Sequence, residues 1–461
     1  MTIWKPELQP TADPVYLAIA RAIETDITGG RLKAGDRLPT HRQLARSLGV
    51  SIGTVTRAYA TAARRGIIHA ETGRGTFVLA EQVPKATPCL DLTVQPGLID
   101  LSVNYPIHAE DPDLARALAT LTDHPDFPEM LRYQAPKTDL RGRRAGAAWM
   151  RDIGLDTDEE DVILTAGAQH ALNVILSAFT KPGDRMLTDQ LTHTGAISAS
   201  QVRGLRAEGV AMDEVGMLPD ALDAACRRRK AQILYLMPTI HNPLSSVLTG
   251  ERREALASVA RRHDLLIVED DIHRPMVIDA PPPVARYAPE RTFFIASIAK
   301  VIAGGLRIAF VAAPPFARDA LRLGVGINMM LVPPLNVAVA AQWLEDGTAA
   351  DVIERKSSEA RARQALAEET LEGFDVRGHP HGYIVWLNLP REWTSAEFAL
   401  ELRRRGVGVT SGAAFALPGD PPPNGVRICL GAAADRHELW AALRIVARML
   451  RGGRTSSPTI V

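Results

Sequence analysis

Between Pro14 and Thr28 the apolar residues Val15, Ile19, Ile23 and Ile27 recur at every fourth position, which places one stripe along one helix face. Gly29-Gly30 ends that helix. Pro39-Thr40 opens a second, with Thr40 as N-cap and Leu44, Ala45 and Leu48 turned inward, and Gly49 closes it. Ser51 caps a third helix that runs to about Arg65, with Val55, Ala58 and Tyr59 inward. The runs IIHA and TFVL then flank Glu71-Thr72-Gly73-Arg74-Gly75, which predicts a hairpin with a glycine-containing turn.

The texture changes over residues 81–98. EQVPKATPCLDLTVQPGL carries three prolines and little helical periodicity, and it predicts a linker. Beyond it, short apolar runs alternate with amphipathic segments: DVILTA, RMLTD, AQILYLMP, LLIVEDD, FFIASIA and IAFVAAP. This alternation predicts an α/β domain with a largely parallel sheet. From about Asn336 the pattern turns to long helices, then to strands in GYIVWLNLP and GVRICLG and a last helix, HELWAALRIVARML, which predicts a smaller α+β domain. Residues 452–461, GGRTSSPTIV, read as a flexible tail.

The 461 residues are 46% hydrophobic and 23% charged, which argues for a globular chain. Formal net charge is zero, so the whole-chain balance suggests neither a nucleic-acid binder nor a membrane-surface protein. That balance conceals a split. Residues 1–80 hold 11 Lys+Arg against 6 Asp+Glu, leaving 42 against 47 in the remainder, and a basic piece on an acidic body suggests a polyanion-binding module. Cys89, Cys226 and Cys429 lie far apart, so neither a disulfide framework nor a metal site is expected. The first residues lack the apolar run of a signal peptide and no apolar stretch approaches the roughly 20 residues that span a bilayer, so a soluble cytoplasmic protein with no membrane partner is expected. Only eight lysines occur, so chemistry that needs an amine has few candidates.

Leu48-Gly49-Val50-Ser51 joins two short helices into a helix-turn-helix candidate. Arg42, Ser51, Thr54, Thr56 and Arg57 cluster at its groove-facing end, and Arg74 could reach a phosphate or a minor groove. A small helical domain with solvated arginines fits the same pattern. In the body, Lys300 ends the run FFIASIA, where desolvation favours a neutral, nucleophilic amine. Arg307 follows seven residues on. Asp270-Asp271 ends LLIVEDD, and strand ends of parallel sheets collect ligands. Gly167-Ala168-Gln169 precedes a helix whose N-terminus could hold a phosphate. Singly, each fits a solvated lysine or a plain turn. Together and in this order they describe a site for pyridoxal 5′-phosphate: an amine for its aldehyde, a carboxylate for its ring nitrogen, and a helix N-terminus, a hydroxyl and an arginine for its phosphate.

Pro14 to Val78 resembles the winged helix-turn-helix of the GntR family, through GDRLPTHRQLA, VSIGTV and GRGTFV. The resemblance implies that Arg42 holds backbone phosphate and that Ser51 to Arg57 face bases. The family often has arginine after Ser51. This chain has Ile52, which can touch a thymine methyl but cannot make a bidentate guanine contact. Residues 99–450 resemble fold-type I, class I/II aminotransferases. By that resemblance Lys300 is the Schiff-base lysine, Asp270 pairs with the pyridinium nitrogen and Asn242, in HNP, bonds the oxygen at C3. Gly167, Ala168, Gln169, Ser297 and Arg307 grip the phosphate, and His193, in LTHTG, stacks on the ring. Tyr133, in RYQAP, reaches the phosphate of the neighbouring subunit, and Arg427, in GVRICLG, binds a ligand carboxylate. Two departures stand out. Relatives read EDDY, with the tyrosine on the C3 oxygen, whereas this chain reads Glu269-Asp270-Asp271-Ile272, and isoleucine cannot donate. The glycine expected after YxxPx is Thr138.

The combination resembles the MocR/PdxR subfamily of GntR-type transcriptional regulators. It implies a winged helix-turn-helix over 1–80, a linker over 81–98, and a pyridoxal-phosphate-dependent transferase fold of type I over 99–451. That fold has a large parallel-sheet domain and a smaller α+β C-terminal domain, followed by the tail. The implied function is a regulator that senses an amino-group-bearing effector through aldimine exchange at Lys300 and acts as a head-to-tail homodimer on paired half-sites of double-stranded DNA. The rival is an active aminotransferase with an autoregulatory DNA-binding domain, and Ile272 weighs against efficient turnover. A DNA-binding protein that has lost its cofactor is opposed by the set Asp270, Lys300 and Arg307.

Overall fold

The computed structural model describes residues 4–6, 14–28, 31–32, 35–64, 67–71, 75–78, 97–133 and 139–453. Arg74, Thr138, residues 81–96 of the predicted linker and residues 454–461 of the predicted tail lie outside them. The chain divides into two compact units, Met1–Ala86 and Thr87–Val461.

The first unit holds helices α1 (Val15–Thr28), α2 (His41–Leu48) and α3 (Ile52–Arg64) and a hairpin of β1 (Ile68–Glu71) and β2 (Gly75–Val78). Thr40 starts α2 through a reciprocal cap. Its hydroxyl accepts the Gln43 N–H at 3.3 Å, and the Gln43 side-chain oxygen accepts the Thr40 N–H at 2.9 Å. Gly49 ends α2 at φ 67°, and Ser51 accepts the Thr54 N–H at 3.1 Å to start α3. Ile19, Ile23, Leu44, Val55, Ala58, Tyr59, Ile68 and Val78 form one core. The expected stripe on α1 begins at Ile19, because Val15, in the first turn, is 46% exposed. The hairpin is tied to the segment between α1 and α2 by Leu38 N–H to Thr76 O and Val78 N–H to Asp36 O, both 2.8 Å. Arg37 lies against Gly75, where a Cβ would stand 2.7 Å from its Nε.

The second unit is built on a seven-stranded sheet. In chain order its strands are β3 (Val162–Thr165), β4 (Arg185–Asp189), β5 (Arg206–Val210), β6 (Ile233–Leu236), β7 (Leu266–Asp270), β8 (Thr292–Ser297) and β9 (Ala309–Ala312). Their spatial order is β3-β9-β8-β7-β6-β4-β5, and β9 alone runs antiparallel to its neighbours. Six strands match the apolar runs read from the sequence. The seventh, β5, is an edge strand of sequence RAEGV that is exposed at its start, so no apolar run announced it.

Helices α4 (Ala168–Phe179) and α5 (Thr194–Val202) follow β3 and β4. A smaller antiparallel sheet has the order β10 (Val376–Gly378), β11 (Ile384–Asn388), β13 (Gly425–Cys429), β12 (Thr410–Ser411). It shares a core with the last helix, Arg436–Gly452. A separate two-residue parallel pairing joins Ile99–Asp100 to Val407–Gly408. Among the described residues no helix is long and apolar enough to cross a membrane.

Candidate functional site

Two acids end β7 and a third, Asp271, follows directly, and the alternation of extended backbone separates them. Glu269 and Asp271 go to one side. Glu269 accepts the N–H groups of Val284 and Ala285, both at 2.8 Å, and Asp271 lies 3.8 Å from Arg253 and 3.7 Å from Arg274. Asp270 goes to the other side. The Tyr235 hydroxyl donates to its Oδ2 at 2.7 Å, while Oδ1 is buried with no partner. Burial pushes the Asp270 carboxyl up to about 6, against the pull of the Tyr235 bond. At neutral pH the site therefore holds an ionised carboxylate with one oxygen unanswered, an arrangement that fits a protonated ring nitrogen.

The adjacent strand, β8, ends at Ser297, and the turn beyond it carries Lys300. Its Nζ donates to Asn104 O. Burial draws the Lys300 amine down to about 8. Arg427 and Arg307 push the same way, while Cys429 and Asp270 oppose. Lys356 makes the contrast: it too is buried, but its Nζ is bound to Asp111 at 2.5 Å and to Ile302 O at 2.8 Å. Ser297 is occupied, donating to Ile308 O and accepting the Ala299 N–H, each at 3.2 Å.

Gly167 caps α4 at φ 87°, and a Cβ there would collide with the Arg307 guanidinium. Glycine is thus required for conformation and for close approach alike. The result is Arg307 laid against the start of a helix whose first residues are Ala168 and Gln169, where backbone N–H groups and dipole favour an anion. Gln169 is fixed by its bond to Gly195 O at 3.0 Å. Gly195 leaves room for both Gln169 and His193, since a Cβ there would fall on both side chains. His193 precedes α5. Burial holds its imidazole down near 3, and its Nδ1 is buried without a partner, so it presents a neutral ring.

Arg427, on β13, donates to Asn242 Oδ1 at 2.9 Å, Ser102 O at 2.6 Å and Thr410 Oγ1 at 3.3 Å, and it lies 4.8 Å over the Phe415 ring. Its Nε is buried and unpartnered. The fold therefore gathers Lys300, Asp270, Asn242, His193 and Arg427, with Gly167, Ala168, Gln169 and Arg307 beside them. Tyr133 is 86% exposed and is not drawn into that set within one chain. Sequence reasoning passed over Tyr235, hidden in the apolar run AQILYLMP, and Asn104, which meets Lys300 across 196 positions. It also missed His273. Ile272 offers no donor, as read, and is buried, but the next residue is 1% exposed with both ring nitrogens unpartnered.

On the first unit, Ile52, Gly53, Thr56, Arg57 and Ala60 form one exposed face of α3, with Ser51 exposed at its start and Arg42 exposed on α2. Thr54 is half-buried and bonded to Ser51 at 2.9 Å, so it belongs to the cap more than to that face. Thr56 bonds Ile52 O at 3.0 Å, and Arg57 lies 5.9 Å over the Tyr16 ring.

Residues 96–446 match the aminotransferase class I and II family. The chain belongs to that family. Residues 15–78 of this class I/II member match the gntR family of bacterial regulatory proteins. The chain is 28% identical to YdeF of Bacillus subtilis, an HTH-type transcriptional regulator, over 97% of this chain and 96% of that protein. It is also 28% identical to the vitamin B6 salvage pathway transcriptional repressor PtsJ of Salmonella typhimurium, over 90% and 94%. Among solved structures it is similar to the α-aminoadipate aminotransferase LysN of Thermus thermophilus, complexed with N-(5′-phosphopyridoxyl)-L-leucine. That match has 24% identity and a TM-score of 0.71, covering 77% of this chain and 93% of that one. The kynurenine aminotransferase of Pyrococcus horikoshii gives 20% identity and a TM-score of 0.74, covering 82% and 96%. The class I/II cofactor is pyridoxal 5′-phosphate. The residues present fit it: an unanswered carboxylate oxygen, a desolvated amine without a carboxylate partner, and a glycine–arginine cradle at a helix start.

Proposed function

We propose that the protein is a pyridoxal-phosphate-dependent, DNA-binding transcriptional regulator whose aminotransferase-like body senses an amino-group-bearing effector. The observation that carries this reading is the buried, unpartnered Oδ1 of Asp270 in the same group as the desolvated Lys300, in a chain that also carries a helix-turn-helix. The bound cofactor supplies an aldehyde that amines add to reversibly. Lys300 is the resident amine and Asp270 holds the ring nitrogen. Asn242 would bond the oxygen at C3 and His193 would stack on the ring. Gly167, Ala168, Gln169, Ser297 and Arg307 receive the phosphate, and Arg427 receives the effector's acid group. An effector amine would take the place of Lys300, whose amine would be released as the effector's was held, and Arg427 would hold the effector's acid group.

The effector acts by binding one arrangement of the two units better than the other. The DNA-binding unit is residues 1–80, joined through 81–98 to a body at 99–451. The working form is a cytoplasmic homodimer, head to tail, in which Tyr133 serves the neighbouring site and two winged helices meet paired half-sites. Arg42, Ser51, Ile52, Thr56, Arg57 and Arg74 carry the DNA contact.

Borohydride reduction of the loaded protein, followed by peptide mass spectrometry, should label Lys300, and Lys300→Ala should abolish the label. A footprint on DNA upstream of its own gene should change when amino acids are added to native protein, but not to Lys300→Ala. Steady multiple turnover of an amino donor and a keto acceptor, with a footprint indifferent to amines, would overturn this in favour of an aminotransferase.

A further inference from the structure

His273 is the buried titratable group that the site described above leaves without a task. It is 1% exposed, and neither Nδ1 nor Nε2 has a hydrogen-bond partner. A buried neutral imidazole carries one donor and one acceptor, and leaving both unanswered is costly enough to be rare away from ligand sites. His273 stands three residues past Asp270, on the turn that leaves β7. That turn faces the smaller sheet: the Tyr383 hydroxyl, next to β11, donates to the Met276 sulfur at 3.5 Å. Asn242 faces the same way, through its bond to Arg427 on β13.

A pyridine ring held at its nitrogen by Asp270 and at the opposite carbon by Lys300 has two remaining edges. One carries the phosphate arm, which the Gly167–Arg307 cradle takes. The other carries the oxygen at C3, an acceptor that requires N–H or O–H donors. We infer that His273 is a positioning residue for that oxygen, donating to it from its neutral imidazole beside Asn242. This rests on the reading that pyridoxal phosphate is joined to Lys300. Burial pushes His273 down to about 3, the Lys300 ammonium pushes the same way, and so do His193 and His379 when they are protonated. Asp270 and Asp271 are the acids on its own turn. The imidazole therefore stays neutral across the working pH range. It supplies through a nitrogen the donor that Ile272 cannot.

The test uses full-length, cofactor-loaded protein and reads the pH midpoint of its visible absorption band. A donor to the C3 oxygen draws electron density away from the nitrogen joined to Lys300, which then loses its proton more readily. His273→Phe, which fills the space without a donor, should raise the midpoint by about one pH unit, a tenfold change. His273→Gln, which restores an N–H, should return it toward the native value. A native midpoint in His273→Phe, with borohydride still labelling Lys300, overturns the inference alone. Failure to label Lys300 in native protein overturns the cofactor reading first. If the phenylalanine variant does not melt cooperatively, imidazole ¹⁵N shifts of native protein decide: a His273 resonance that moves on loading supports the contact, and one that does not refutes it.

Discussion

The sharpest prediction concerns Asp270→Asn. The fold carries this carboxyl from an ordinary value of 3.8 to about 6, chiefly by burial. A raised acid value means that the native state favours the protonated form. Below pH 4 the group is neutral folded and unfolded, and burial costs little. Between pH 4 and 6 the unfolded chain ionises first, so native stability falls as pH rises. Above 6 the penalty is constant at about 3 kcal/mol. Asparagine can keep the acceptor for Tyr235 and removes the charge. Protein without cofactor should therefore be more stable as Asp270→Asn by up to this amount at pH 7.5, and indistinguishable from native at pH 4. With cofactor the order should reverse, because the lost charge-assisted bond to the ring nitrogen weakens binding roughly 10- to 100-fold. Calorimetric melts at pH 4, 5, 6 and 7.5, with a spectrophotometric titration by pyridoxal phosphate, measure both. An advantage at pH 7.5 no larger than at pH 4, or an affinity within threefold of native, would refute the reasoning.

Gly167→Ala combines a left-handed backbone with a collision against Arg307, so it should lower cofactor affinity about tenfold or more while the melt shifts by only about 1–2 kcal/mol. Since the Lys300 amine is drawn down to about 8, adduct formation with added pyridoxal phosphate should accelerate with pH and level off just above 8, as stopped-flow absorbance would show. A rate still climbing at pH 10 would contradict the desolvation argument. Thr40→Ala removes the reciprocal cap of α2 and should cost the first unit about 1 kcal/mol in chemical denaturation. Arg42→Ala should weaken DNA binding uniformly across sequences and reduce the salt slope by about one, measured by anisotropy.

Much of this architecture was legible because its signals are local. Apolar runs marked six of the seven large-sheet strands, and Thr40, Gly49 and Ser51 marked helix ends through bonds spanning three or four residues. What escaped the sequence is non-local or masked by context. Strand β5 sits at an edge and needs no apolar run. Asp270 and Asp271 look equivalent in LLIVEDD, and only the side of the strand each occupies, with Arg253 and Arg274 waiting on one side, tells them apart. Tyr235 passed for core because its hydroxyl finds Asp270 from a neighbouring strand. His273 carries no signal in the sequence, because nothing local distinguishes an idle imidazole from a satisfied one. Thr54, grouped with the base-facing residues on spacing, is half-buried and bonded to Ser51.

The guanidinium of Arg427 is already committed, to an amide oxygen of Asn242 on one side and to Ser102 and Thr410 on the other. An acid arriving at the proposed site would meet a hand that is partly held. Three of its five N–H groups are taken, so on the proposed reading an acid would gain without loss only at Nε and the remaining Nη1 hydrogen, and any further bond would be drawn from Asn242, Ser102 or Thr410. A ligand that took those bonds would rewire the neighbours of Arg427 as it bound, which gives the proposed site a built-in difference between its filled and its empty state.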